Sequence, residues 1–352
     1  MDQTNTTSMG KVPLLLPNTT NYGLNGLVKT SLLCMYAVTI VTSLGGNFII
    51  CTILLIRKRL RIVTNIYIFN LSCCDILVIT VCVPFTAVTN LILYYWPFGQ
   101  MVCPLVMYLQ LVTVLQRSLL LVAMTFDKYY AIWQPLKRRL GIKWTKLLIG
   151  ILWCISATLS IPTAIHSRIM YFPHEPGSNG LCIEQWSSHV ARYWYSLSIM
   201  FIQYFIPLLI LSVTYIHIGI IIWVKRPPGE ADTNRDKRLA KSKRKTVKMM
   251  MVVVLAYAVC WLPLHILTLI GDLNPDIFNQ VYMHTIWLFS HLLAIFNSTI
   301  NPLVYLWMDS TYRCGLGYCE RKIIGIRTIK SHWKVTFRVT NSSQQQSQGN
   351  PC

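Results

Sequence analysis

The chain alternates between long apolar runs and short polar breaks rich in lysine and arginine. Seven apolar runs stand out, at roughly 30–56, 64–92, 103–133, 147–165, 193–224, 246–271 and 281–306. Each has about the 20 residues that a helix needs to cross a hydrocarbon core. Stretches such as Ile199 to Trp223 lack the polar outer face of a soluble helix, which sets aside a large soluble all-α protein. The pattern predicts an all-α membrane protein, a seven-transmembrane helix bundle with a short amphipathic helix after the seventh span. The expected divisions are an extracellular glycosylated segment at 1–29, the bundle at 30–308, a membrane-associated helix at 309–320 and a disordered cytoplasmic tail at 321–352.

The third run is the centre of the pattern. It opens at Cys103, closes near Asp127-Lys128-Tyr129, and carries Gln110 and Arg117 between them. At about 100° per residue, Gln110, Arg117 and Lys128 fall within roughly 40° of one another. One polar stripe therefore runs down an apolar helix and must face protein or water rather than lipid.

Composition agrees with this reading. The 352 residues are 54% hydrophobic and 12% charged, about half the charged fraction of a soluble domain. The loops after spans 1, 3 and 5, with Lys248 at the start of span 6 counted in the last, and the tail after span 7 hold 4, 5, 10 and 7 of the 32 lysines and arginines. Such asymmetry predicts a cytoplasmic C-terminus and, with seven spans, an extracellular N-terminus. The net charge of +20 is then topological and needs no nucleic acid; basic loops beside anionic membrane lipids are expected. Asn5 and Asn18 head glycosylation sequons in the outer segment. No cleavage pattern precedes span 1, which is expected to act as an uncleaved targeting segment.

Depth also sorts the cysteines. Cys103 and Cys182 are the pair expected in the oxidising compartment, so a disulfide is predicted between them, pinning the 166–192 loop over helix 3. Cys314 and Cys319 follow span 7 beside basic residues, as candidates for palmitoylation or as plain thiols. Prolines at 162, 207, 263 and 302 kink spans 4 to 7 and free carbonyls that neighbours must satisfy.

One landmark per span, in order, carries a resemblance. Asn47, Asp75, Cys103, Asp127-Lys128-Tyr129, Trp153, Pro207, Trp261-Leu262-Pro263 and Asn301-Pro302-Leu303-Val304-Tyr305 together resemble a rhodopsin-like (class A) G-protein-coupled receptor. Pro228-Gly229-Glu230, the run Ser242 to Val254, Trp261 to Ile266 and Asn274-Pro275-Asp276 resemble tachykinin-type neuropeptide receptors. Neuropeptide Y/F-like and RYamide-like receptors stand as near relatives.

The resemblance implies a peptide ligand outside and a heterotrimeric G protein inside, of the Gq class by analogy with tachykinin-like relatives. Arrestin is a further possible partner. Amine receptors place an acid where this chain has Gln110. A neutral aromatic cleft of Gln110, His265, Trp261, Trp287, His291 and Thr86 therefore suits an amidated peptide end, although Gln110 as a plain helix-to-helix tie is the alternative. By analogy Trp261, Pro263, Asn301, Pro302, Tyr305 and Tyr215 form the activation switch, and Asp127, Lys128 and Tyr129 meet the G protein. Lys128 stands where the family has arginine, which loses a planar five-donor fork.

Arg117 is the largest departure. Relatives usually carry a small hydroxyl residue there, which binds a sodium ion together with the acid of span 2. Asp75 lies ten residues above Asn65, about 15 Å, and Arg117 eleven residues above Lys128, about 16 Å, so the two are level. A core pair of Asp75 and Arg117 taking the place of sodium is expected; trapped water, or bonds from Arg117 to Asn297 or Asn301, is the alternative. Other classes lack their marks: no internal repeat of a transporter, no channel filter, and no paired carboxylates, metal-spaced Cys/His cluster or phosphate loop of an enzyme. No cofactor or metal is implied. A ligand-binding decoy with weak signalling is the alternative function.

Overall fold

A computed structural model describes residues 25–56, 62–134, 140–171, 180–223, 234–274, 277, 280, 282–308 and 312–313, with side chains outside 222–223, 234–243 and 246. Asn5, Asn18, Cys314, Cys319, Pro228-Gly229-Glu230, Pro275-Asp276, the 309–320 helix apart from 312–313, and the tail lie outside the described residues.

The helices are α1 (Gly26–Ile56), α2 (Val63–Leu93), α3 (Val102–Trp133), α4 (Ile142–His166), α5 (His189–Met200 continuing through Phe201–Phe205 and Ile206–Trp223), α6 (Asn234–Leu273) and α7 (Met283–Met308). The first six are long and apolar enough to cross a membrane. The seventh has the length, 26 residues. Its hydropathy is diluted by His291, Asn297, Ser298, Thr299 and Asn301, all of which it buries against other helices. A helix that is polar only on its protein-facing side still fits a bilayer.

Packing follows from which faces are polar. α3 lies against α2, α4 and α5, while α7 lies against α1 and α6. α4 packs mainly on α3 and turns Trp144, Leu147, Ile151, Ile155 and Ile161 outward. In a bilayer that apolar face meets acyl chains. Gly46 is where α1 touches α7: a Cβ there would sit 2.7 Å from Pro302 Cγ.

Prolines shape the helices as expected and add something periodicity cannot show. Wide π-helical turns at Val78–Cys82 and Phe201–Phe205 immediately precede Pro84 and Pro207. Each proline lacks an N–H and crowds the carbonyl four residues back, and the widened turn absorbs that strain.

One element lies outside an all-helical scheme. Strands β1 (Ser167–Met170) and β2 (Leu181–Glu184) pair antiparallel, with Ile169 opposite Cys182. Gly180 enters β2 where a Cβ would lie 2.8 Å from Met170 O, so only glycine lets the strands close. The hairpin is short and polar-edged, and it caps one end of the bundle.

Candidate functional site

At the hairpin end, Cys182 of β2 is disulfide-bonded to Cys103 at the start of α3, as the cysteine positions predict. A second tie lies close by. Trp96 N donates to Gly180 O at 2.9 Å, and its indole Nε1 donates to Gly99 O at 3.0 Å. Phe85 and Phe98 pack on the Trp96 ring at 5.9 and 5.2 Å. The turn is held by Tyr94 and Gly99, both at positive φ. Hairpin, turn and α3 thus form one braced rim. Across it, Arg192 of α5 and Asp272 of α6 form an ion pair of 3.4 Å.

Below the rim the aromatic residues form two groups. His265 of α6 lies 4.8 Å from Tyr204 of α5 and 5.8 Å from Trp261, which in turn meets Tyr257. On the other side, Trp287 stacks on His291 at 5.1 Å, and His291 Nδ1 is 2.9 Å from Tyr36 Oη of α1. His291 is 4% exposed, so it backs Trp287 and does not present a free ring. Gln110 and Thr86 are half-buried; Thr86 bonds to Cys82 O of its own helix at 3.3 Å. Among the described residues, neither makes a hydrogen bond or ring contact with either aromatic group.

The middle of the bundle is polar and buried. Arg117 Nη1 lies 2.8 Å from Asp75 Oδ1. The same Nη1 donates to Ser298 Oγ at 2.8 Å, and Nη2 donates to Asn297 Oδ1 at 2.9 Å. Ser298 Oγ passes its own proton to Asp75 Oδ1 at 2.9 Å, and Asn301 Nδ2 reaches Oδ2 at 3.2 Å. Asp75 is 0% and Arg117 3% exposed. Both arrangements weighed from sequence, the ion pair and the bond to Asn297, therefore occur together. Burial of either charge alone costs several kcal/mol, so the ion pair and the bonds to Ser298, Asn297 and Asn301 are what make this core tolerable, although Arg117 Nε, Asn297 Nδ2 and Asn301 Oδ1 have no protein partner among the described residues.

Two proline-freed carbonyls are met by side chains from other helices, of which only Asn47 stood out in the sequence. Pro207 frees Gln203 O, which accepts from Ser118 Oγ of α3 at 2.7 Å and Tyr257 Oη of α6 at 2.5 Å. Pro302 frees Ser298 O, which accepts from Asn47 Nδ2 of α1 at 3.0 Å. Counting back four residues from each proline identifies the acceptor in advance. The donors come from other helices, and spacing gives no sign of them.

At the end opposite the hairpin, Asp127 is buried and Lys128 half-buried. Tyr129 Oη is 2.9 Å from His217 Nδ1 of α5, and Tyr215 Oη is 3.2 Å from Thr125 Oγ1 of α3. Tyr305 stacks on Tyr312 at 6.0 Å, whose hydroxyl donates to Asn65 Oδ1 at 2.9 Å. Tyr129 and both switch tyrosines thus rest against protein, and Tyr305 stacks on Tyr312 of the segment that follows α7.

A braced rim, two aromatic walls, a neutralised ionic core and tyrosine-held helix ends define a multi-pass membrane protein of the seven-helix type. The chain belongs to the 7 transmembrane receptor (rhodopsin family), whose profile matches residues 46–305. This is a family of receptors, not enzymes. The chain is 38% identical to the RYamide receptor of Drosophila melanogaster over 297 residues, covering 83% of this chain and 64% of that one, just under two thirds. Identity to the RYamide receptor of Tribolium castaneum is 36% over 321 residues, 86% of each chain. Tachykinin-like peptides receptor 99D of Drosophila melanogaster is 32% identical over 299 residues, 82% of this chain and 56% of that one. The tachykinin-type resemblance thus widens: the RYamide receptors share more identity with this chain.

Proposed function

We propose that this protein is a plasma-membrane receptor for an amidated neuropeptide that couples ligand binding to a heterotrimeric G protein. The observation that carries the reading is the match, over more than four fifths of the chain, to receptors named for RYamide and tachykinin-like peptides. In this reading the N-terminus and hairpin rim are extracellular, in keeping with the basic loops on the other side. The peptide end enters between the two aromatic walls, and Gln110, Thr86, His265 and Trp287 offer it a neutral hydrogen-bonding and stacking surface. His291 acts from behind, fixing the Trp287 ring.

Binding shifts the bundle only by the difference in affinity between its states. The shift is relayed through Trp261 and Pro263, and through Asn301, Pro302 and Tyr305. At the cytoplasmic end Tyr215 exchanges its partner, and Asp127, Lys128 and Tyr129 meet the G protein. By analogy with tachykinin-like relatives that partner is of the Gq class, with arrestin as a later partner. Asn5 and Asn18 are then glycosylated, and Cys314 and Cys319 palmitoylated.

The test is expression with a calcium reporter and challenge with amidated RYamide, tachykinin and neuropeptide F type peptides. A saturable response to one family, lost on removal of the C-terminal amide, is expected. Surface-expressed receptor silent to all three, with no binding of labelled peptide, would refute the ligand class.

A further inference from the structure

Relatives in the family usually hold a sodium ion beside the acid of the second span, and the residues of this chain do not fit one. A small cation is held by oxygens that converge on it. Here the three oxygens that converge, Asp75 Oδ1, Ser298 Oγ and Asn297 Oδ1, already meet at the Arg117 guanidinium, at 2.8, 2.8 and 2.9 Å. The remaining carboxylate oxygen, Asp75 Oδ2, faces the N–H donor of Asn301, and a donor repels a cation. The charges also close: one carboxylate and one guanidinium leave no net negative charge to attract an ion into a low-dielectric core.

We infer that Arg117 is the resident cation of this bundle, a covalently attached replacement for a metal ion. The cluster joins α2, α3 and α7 through one side chain, and the folded state is indifferent to sodium. Two consequences separate this from a guanidinium that merely fills space. A bound ion leaves and returns at the demand of its concentration, whereas a tethered one is always present. Removing the guanidinium uncovers an acidic, oxygen-lined cavity, which is the chemistry of a small hard cation site. The inference rests on the geometry of the core and not on the identity of the ligand, so its test uses the ligand-free protein.

The experiment is the thermal unfolding of purified full-length protein in detergent, in sodium chloride and in N-methylglucamine chloride at equal ionic strength. Native protein is expected to melt at the same temperature in both. Arg117→Ser is expected to melt lower and to regain stability with the logarithm of sodium concentration, on the order of 3 °C per tenfold. Adding Asp75→Asn to that variant is expected to abolish the sodium response. Arg117→Lys keeps a tethered charge and is expected to stay sodium-insensitive, which preserves the test if the serine variant does not fold. A sodium-dependent rise in the native protein overturns the inference. So does a sodium response in Arg117→Lys, or an Arg117→Ser that folds and melts equally in both salts.

Discussion

Gln203 O offers a sharp test of how the kinked bundle is held. Pro207 deprives this buried carbonyl of its helical donor, and Ser118 and Tyr257 supply two hydroxyls instead, at 2.7 and 2.5 Å. Ser118→Ala or Tyr257→Phe alone leaves one donor in place. Each should cost about one interhelical hydrogen bond, typically 0.6 kcal/mol between membrane helices and about 0.5–1.5 kcal/mol in proteins generally. The double variant removes both of the side-chain donors to this carbonyl. The penalty for an unsatisfied buried group, about 1–3 kcal/mol, then adds to the loss of the bonds.

The double variant should therefore fall short of the sum of the singles by at least about 1 kcal/mol of coupling. At about 2–4 °C per kcal/mol, the singles lower the melting temperature by ~1–6 °C and the double by distinctly more than their sum. Pro207→Ala, introduced into the double variant, returns a backbone N–H one turn along and should recover part of the loss. The assay is thermal unfolding of purified receptor, followed by intrinsic fluorescence or thiol labelling. Strict additivity, or no recovery from Pro207→Ala, would refute the view that three helices share one proline-freed carbonyl.

Three further outcomes follow from the same geometry. Gly46→Val pushes a side chain into a proline ring that cannot bend away, so a loss of about 1–3 kcal/mol is expected, relieved by Pro302→Ala in a second variant and read by melting temperature. Cys103→Ser and Cys182→Ser each free the hairpin from α3, and both should abolish labelled-peptide binding to the same degree as the double variant while some folded receptor remains. Lys128→Arg restores a planar fork at the position proposed to meet the G protein, and should raise maximal signalling at unchanged peptide affinity; an unchanged maximum would show that a point charge suffices there.

Much of this architecture was legible in the chain because the bilayer simplifies the problem. Length and hydropathy locate the spans, and the bounds of α1, α2 and α3 differ from the apolar runs by at most four residues. The rise of a helix fixes depth, so Asp75 and Arg117 were level in the sequence before they were 2.8 Å apart. The rotation of neighbouring helices is not legible in this way, because lipid and protein interiors are equally apolar. Hence Ser298 stood out only as a polar residue of span 7, with no sign that it sits between the two charges, and Tyr257, four residues before Trp261, gave no signal. His291 looked like a cleft residue from its place in α7, yet it turns toward Tyr36. The widened turns before Pro84 and Pro207 shift the register of everything beyond them, which defeats a count at 100° per residue.

The kinks also differ in how they are tied, and that difference bears on which helix moves. The carbonyls freed by Pro207 and Pro302 are each fastened by a side chain from another helix. Pro263 of α6 frees Val259 O, and among the described residues no side chain donates to it; the nearest such bond, from Tyr204 Oη, goes to Ala258 O at 2.8 Å. Val259 itself faces outward. Rotating α5 or α7 about its kink must therefore break a bond to a buried acceptor, at about 1–3 kcal/mol until a new donor arrives. Rotating the far half of α6 about Pro263 breaks none at the freed carbonyl. Of the kinks in α5, α6 and α7, two are fastened and one is loose, and the loose one lies between Trp261 and His265, within the aromatic wall. A ligand pressing on that wall acts on the helix whose bending costs least.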